Sequence, residues 1–356
     1  MIKRRLTLTI LAFITFSACK SVPDERWQHD AMGEIGDVAV LTDQMTWGMY
    51  NTLIDSIFGR DLPGMAGQEP FFVIRNSDES NFDGFYKKNY NLFIFLQRNR
   101  WQVMKSLFDP SMQEKIESKF SPTGLVVFKA QNVWAQPQEV HFVLTPNAEI
   151  MEQTLRNKRA SFMIQALETE SRTTISSLID KHPERDNMRE SMLEEYGYAI
   201  QKPVTYQVSL ESDECFGISR YINAKKLGVY IYEEPYEKEE QFSQSYIIGR
   251  RNEILGKHLQ GSDRPDSIPT FMSTDSMNVK LFRRQFELNG LYAVETRGWW
   301  EMTNDFMAGP FVNYTILSTK QNKVISIDCN VFAPGHDKNR LLRQLELIVS
   351  TFEEKE

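Results

Sequence analysis

The residues best placed to do chemistry lie between Glu295 and Phe311. Leu291–Met302 reads as a strand, and along it Glu295, Arg297, Trp299 and Glu301 share one face. Tyr292, Val294, Thr296, Trp300 and Met302 take the other face and read as core. A face that mixes carboxylates, a guanidinium and an indole suits recognition of a polar ligand or a partner chain. Asp305 follows, before Gly309-Pro310-Phe311, which reads as a turn into the next strand. The candidate binding face is therefore Glu295, Arg297, Trp299, Glu301 and Asp305. The bland alternative is cross-strand ion pairing with Trp299 packed under a loop. As chemistry, Glu295, Glu301 or Asp305 would supply the acid and base of a hydrolase or transferase.

The other motifs fail. Histidines 29, 141, 182, 258 and 336 are scattered, with no HExxH spacing and no paired-cysteine zinc pattern. No GxSxG elbow occurs, and Gly256-Lys257 runs into His258 with Arg251 where a phosphate loop needs glycine. The sequence thus assigns no catalytic residue, no metal ligand and no cofactor. The expectation leans away from an enzyme and toward a binding or assembly module.

The start of the chain fixes where such a module would work. Lys3, Arg4 and Arg5 precede an apolar run, Leu6 to Phe16, which ends in Phe16-Ser17-Ala18-Cys19. This is a secretory signal with a lipoprotein-type cleavage site, and Cys19 would carry the lipid. The run is too short to span a bilayer, which takes about 20 apolar residues. The expected organisation is a signal peptide at 1–18, a tether at 19–36, an N-terminal half at 37–185 and a C-terminal half at 186–356. The full chain has 41 basic and 48 acidic residues, and cleavage would leave 38 against 48. An acidic body repels phosphate backbones, so nucleic acid is excluded as a partner. The expected partners are the membrane, through acyl chains on Cys19, and an envelope protein. The location would be the cell envelope, at the outer membrane, and the alternative enzyme would act on envelope glycans or peptides. Cys215 and Cys329 remain in a disulfide-permitting compartment, and Cys329 reads as a buried free thiol on an alternating strand.

Elements must position the candidate face. Asp37–Thr42 reads as a first strand, and Asp43 caps a helix to Phe58. Short strands follow at Phe71–Ile74, Leu92–Leu96, Leu125–Lys129 and Val140–Leu144, with a helix from Asp109-Pro110 to Phe120. Asn147 opens the longest helical stretch, to Asp180, and Met188–Tyr196 adds another. Val204–Leu210, Phe216–Ile222 and Leu227–Tyr232 alternate as antiparallel strands do, before a helix at Ser245–Leu259. Gln260–Met277 is rich in structure breakers. Leu291–Met302, Phe311–Leu317 and Val324–Phe332 form a strand trio, and a last helix carries an apolar stripe from Leu341 to Phe352. The fold class is α+β, with mainly antiparallel sheets covered by helices in two packed halves.

The chain resembles an uncharacterised family of Bacteroidota envelope lipoproteins, a domain of unknown function over nearly the whole mature chain. The likeness rests on Gly33-Glu34-Ile35, Leu62-Pro63, Glu69-Pro70-Phe71 and Arg251-Asn252-Glu253-Ile254. It is closest from Glu295-Thr296-Arg297-Gly298 through Gly309-Pro310-Phe311, then Ala333-Pro334, Lys338 and Gln344-Leu345-Glu346. Ala308 stands where a second glycine is expected, and Trp299 where leucine is usual. The resemblance implies location and a coherent fold, with no reaction attached. Asp266-Ser267-Ile268 and Asp275-Ser276-Met277 also fit the O-glycosylation acceptor pattern of exported Bacteroidota proteins, making Ser267 and Ser276 candidate acceptors.

Overall fold

The computed structural model describes residues 28–178, 187–261 and 268–355. The expected signal peptide, Cys19 and Ser267 lie outside the described residues. Among those described, no helix is long and apolar enough to cross a membrane.

The first domain is a twisted sheet with helices on both faces. Its elements are β1 (Asp37–Leu41), α1 (Gln44–Phe58), β2 (Val73–Ser77), β3 (Asn91–Gln97), α2 (Pro110–Lys119), β4 (Val126–Gln131) and β5 (Glu139–Thr145). Two helices follow, α3 (Ala148–Asn157) and α4 (Arg159–Leu178). The strand order is β2-β1-β3-β5-β4. Three of its pairings are parallel, and only β4 runs antiparallel to β5. The apolar runs Val38-Ala39-Val40-Leu41 and Leu92–Leu96 explain this, because a parallel sheet under crossover helices is buried on both faces. Val38, Val40, Phe93 and Phe95 meet α1, α3 and α4, whereas Ala39, Leu41, Leu92 and Ile94 meet Trp101, Phe108 and Ile116. Asp43 caps α1 by accepting the Thr46 N–H, as read from the sequence. The single long helix expected from Asn147 breaks at Lys158, which closes α3 as its C-cap.

The second domain begins with α5 (Met188–Glu195) and continues with β6 (Gln207–Glu211), β7 (Phe216–Ile222), β8 (Lys225–Pro235) and α6 (Gln244–His258). It closes with β9 (Met272–Asp275), β10 (Phe282–Leu288), β11 (Leu291–Met302), β12 (Ala308–Ser318), β13 (Lys323–Phe332) and α7 (Asn339–Val349). All eight strands pair antiparallel in the order β9-β11-β12-β13-β8-β7-β6, with β10 also on β11. The antiparallel, helix-covered reading therefore describes this domain, while the first domain is mixed. One face of the sheet packs Val312, Ile325, Ile327 and Cys329 against Leu342, Leu345 and Ile348 of α7. The other packs Tyr230, Tyr232, Trp300 and Phe311 against Ile254 and Leu255 of α6. The α7 cluster is continuous with the core under α1, α3 and α4, so the two domains share one apolar interior. Cys215 and Cys329 are buried free thiols, and burial pushes Cys215 up to about 12.

Two expectations change here. Residues 28–36 of the expected tether are packed: His29 and Asp30 pair with Ala135 and Gln136, and the Met32 N–H donates to the Lys88 carbonyl. Their sequence, which has no Lys, Arg or Pro, has no periodicity to announce this, because the contacts are mostly backbone. Gly309-Pro310 is no turn but the start of β12. Proline is tolerated because the β12–β13 ladder begins only at Phe311, so no N–H is missed on that side.

Candidate functional site

The site forms where the two domains meet. Asn289 and Gly290 both have positive φ and fold β10 back onto β11. That hairpin sets Arg284 opposite Glu295, and Arg284 donates through Nε at 3.1 Å and Nη2 at 2.6 Å to Glu295 Oε2. Two residues along β11, Arg297 Nε donates to Glu295 Oε1 at 2.6 Å. Arg297 Nη1 lies 2.6 Å from Glu346 Oε1 on α7, a contact ion pair whose angles fall outside hydrogen-bond geometry. One turn back on α7, Arg343 bonds both Glu346 and Glu170 of α4. Six side chains thus alternate in charge across the seam: Glu170, Arg343, Glu346, Arg297, Glu295 and Arg284.

Glu170 ties this row to the first domain, accepting the Gly36 N–H at 2.5 Å and the Tyr90 hydroxyl at 3.2 Å. Glu69 closes the seam from the other side, where its Oε2 accepts the N–H groups of Lys338 and Asn339 at 2.5 and 2.6 Å. A carboxylate from the first domain therefore caps α7 of the second, where it also meets the positive end of the helix dipole. Burial alone would raise the Glu295 carboxyl, but Arg297 and Arg284 outweigh it and hold it below its usual range. Burial would lower Arg297, yet Glu295 and Glu346 keep its guanidinium firmly charged.

Beside this row lies a cavity of about 190 Å³. Arg284, Glu295, Arg297, Arg343 and Glu346 line its polar side, and Leu167, Phe286, Leu288, Leu347 and Val349 its apolar side. Phe71 also lines it, with Arg60, Arg297 and Arg343 each within 6 Å of its ring.

The sequence-derived face splits. Glu295 and Arg297 reach the cavity, but both are buried, with side chains 2% exposed. They are an interior pair, and the expected open face does not exist there, because α7 covers it. Trp299 is half-buried outside the cavity, with Lys338 Nζ 6.0 Å from its ring. Glu301 is exposed, and Asp305 sits in the β11–β12 turn, where it accepts the Phe306 N–H. The five residues therefore form no single surface. Arg284, Arg343 and Arg60 were missed. The Asn289-Gly290 pair between Phe282–Leu288 and Leu291–Val294 was the hairpin signal that could have found Arg284. Nothing in the sequence marks Arg343, which lies beside the apolar stripe of α7 and is covered by α4. Ser276 is exposed, just after β9. Among the described residues, no group of three or more His, Cys, Asp or Glu is placed to hold a metal ion.

A second buried cluster surrounds His141. His141 stacks on Phe93 at 4.2 Å, and its Nε2 lies 2.8 Å from Thr169 Oγ1 and 3.2 Å from Glu139. Burial depresses the His141 ring despite the pull of Glu139, so it is held neutral. Unfolded, the ring titrates near 6.5. Below that pH the unfolded chain binds a proton that the folded chain refuses, so stability is full above 6.5 and falls as pH drops. Melting temperature should decrease between pH 7 and 5, and His141→Gln should flatten that slope. Equal slopes in the two proteins would show that another group titrates there.

Two family models cover most of the chain. Residues 31–178 match one described as Domain of unknown function (DUF8532), and residues 185–351 match Domain of unknown function (DUF4837). The two matches coincide with the two domains. No curated protein matches the sequence.

Proposed function

We propose that this chain is a lipid-anchored cell-envelope binding module, held at the outer membrane by acyl chains on Cys19 and recognising a ligand or envelope partner at the domain seam. One observation carries the binding reading: both carboxylates lining the seam cavity, Glu295 and Glu346, are already paired with arginines. A general acid needs a carboxyl that keeps its proton near neutrality, and Glu295 is pushed the other way. Such a site holds charge in place rather than moving protons. The anchor reading is supported by the basic head, the apolar run and the small pair before Cys19. Ser276 would be an O-glycan acceptor on the exposed turn after β9.

The test uses the full-length protein made with its own leader in a bacterial host fed a clickable palmitate analogue. Wild type should be labelled and sediment with membranes, and Cys19→Ser should be unlabelled and soluble. Label retained on Cys19→Ser would overturn the anchor. In the same cells, crosslinking should recover a near-stoichiometric envelope partner that is lost on changing Arg60 and Arg284 to alanine. Recovery that is unaffected by those changes would place recognition elsewhere.

A further inference from the structure

The seam cavity holds one polar group that the fold leaves unused. Its charges are committed to one another. Arg284 pairs with Glu295, Arg297 with Glu295 and Glu346, and Arg343 with Glu346 and Glu170. Three glutamates meet three arginines, so the row is neutral. Tyr314 of β12 also lines the cavity, and it is only 6% exposed. It stands opposite Glu295 in the β11–β12 ladder, so the two side chains share a face of the sheet. Its ring meets that of Phe286 edge-on, with centres 5.8 Å apart. Asn313 and Thr315, on either side of it, bond each other, whereas the Tyr314 hydroxyl has no hydrogen-bond partner among the described residues. A hydroxyl buried without a partner costs stability unless another group meets it. Burial and the carboxylates of Glu346 and Glu295 raise this hydroxyl well above its usual range, so it keeps its proton and is a donor.

The rest of the lining sets the size and charge of the ligand. Arg284 is 47% exposed, and Leu167, Ser171, Phe286 and Ser350 are half-buried, so the cavity opens to solvent on their side. The space is about 190 Å³. An engineered apolar cavity of about 150 Å³ takes up benzene. One ring with a short polar substituent therefore fits, and a lipid tail or a sugar chain does not. A charged ligand would lose its hydration beside a row whose charges are already matched, and would gain no counter-ion there.

Resting on the binding reading above, we infer that the seam cavity takes a small uncharged molecule, one ring bearing a hydroxyl or carbonyl group, with that oxygen on the Tyr314 hydroxyl and the ring against the wall of Leu167, Phe286 and Leu288.

The experiment is ligand-observed NMR titration of the full-length protein in detergent. The probes share one ring and differ in its substituent: benzyl alcohol, toluene, benzoate and benzylammonium. Ser171→Phe, which sets a ring against the cavity, is titrated in the same detergent, so that uptake by micelles is subtracted. Benzyl alcohol should bind wild type saturably. Toluene should bind about 3- to 10-fold more weakly, the loss of one neutral hydrogen bond. Benzoate and benzylammonium should each be at least about 10-fold weaker than the alcohol, because an unmatched ion is desolvated. Tyr314→Phe should lower the alcohol to the level of toluene and leave toluene unchanged. That variant deletes only an unpartnered hydroxyl, so it should melt no lower than wild type. Ser171→Phe should melt cooperatively and bind none of the four. No saturable binding of the alcohol, an ion that binds as tightly, an alcohol affinity unmoved by Tyr314→Phe, or unchanged binding to Ser171→Phe overturns the inference. A clear fall in the melting temperature of Tyr314→Phe also overturns it, since the hydroxyl would then already have a partner in the protein. Those outcomes leave the anchor and the crosslinked partner untouched, whereas failure to crosslink a partner leaves the titration standing.

Discussion

Replacing Arg343 by methionine is expected to cost about 3–5 kcal/mol of stability, the range for breaking a buried ion pair from one side. Arg343 bonds across the seam, to Glu170 on α4 and Glu346 on α7. Glu346 would keep Arg297 as its partner. Glu170, fully buried, would keep only the Gly36 N–H and the Tyr90 hydroxyl. Two neutral donors do not offset a carboxylate taken from water into this interior. The size of the loss therefore reflects the stranded Glu170 rather than the strength of the bridge. The double change Arg343→Met with Glu170→Met tests this, because removing both charges should recover at least half of the lost stability. Urea unfolding followed by tryptophan fluorescence and circular dichroism would measure it. The single variant should also separate the two probes into two transitions, since the seam charges help to couple the domains. A single-variant loss under about 1 kcal/mol would mean that water reaches Glu170, as at an exposed pair.

The sequence singles out Glu295 and Arg297 as charged neighbours on one strand face, but does not say where they sit. Alternation along Leu291–Met302 correctly puts Val294, Thr296, Trp300 and Met302 on a buried face, but Tyr292, expected with them, is 39% exposed near the start of β11. It cannot say what covers the opposite face. Leu342, Leu345, Ile348 and Val349 announce that α7 lies on a sheet, but Arg343 and Glu346 beside them look like a solvated edge. They are buried because α4, more than 160 residues earlier, crosses over them. The segments that carried the resemblance fare better. Glu34, Glu69, Phe71, Glu295, Arg297, Lys338 and Glu346 all meet at the seam, as an ion pair to Arg340, a helix cap, a cavity wall or a member of the row. Arg251 marks a separate interior pair, with Nε 2.7 Å from Asp328 Oδ2 and its guanidinium over Phe311. In the first domain the parallel order is written in the continuous apolar runs Val38–Leu41 and Leu92–Leu96, and the helices expected at Asp43–Phe58 and Asp109–Phe120 lie between strands of that sheet.

Gly309→Ala is the second large effect, and it explains which of two expected glycines the fold requires. A methyl at position 309 would sit 1.8 Å from the Val331 carbonyl oxygen and 3.1 Å from Trp300 Nε1. The first of these is backbone of β13, held by pairing with Leu227 of β8 and by the β12 ladder that begins one residue earlier at Asn330, and no rotamer change relieves the overlap. The start of β12 would have to swing out, taking the β11–β12 turn and Asp305 with it. The expected cost is more than about 3 kcal/mol, beyond the usual range for added methyl groups, because the obstacle is main chain. Position 308 already carries a side chain, Ala308, paired with Glu301 at the end of the ladder and only half-buried. The close approach of β13 therefore falls on 309 alone. Gly48→Ala is the control: it lies inside α1 with nothing within 4 Å, so the same methyl should stabilise by about 0.5–1 kcal/mol. Opposite signs at the two sites in thermal melts would establish the steric cause. A loss of under about 1 kcal/mol at Gly309 would show that the start of β12 moves away from Val331 more readily than their close approach implies.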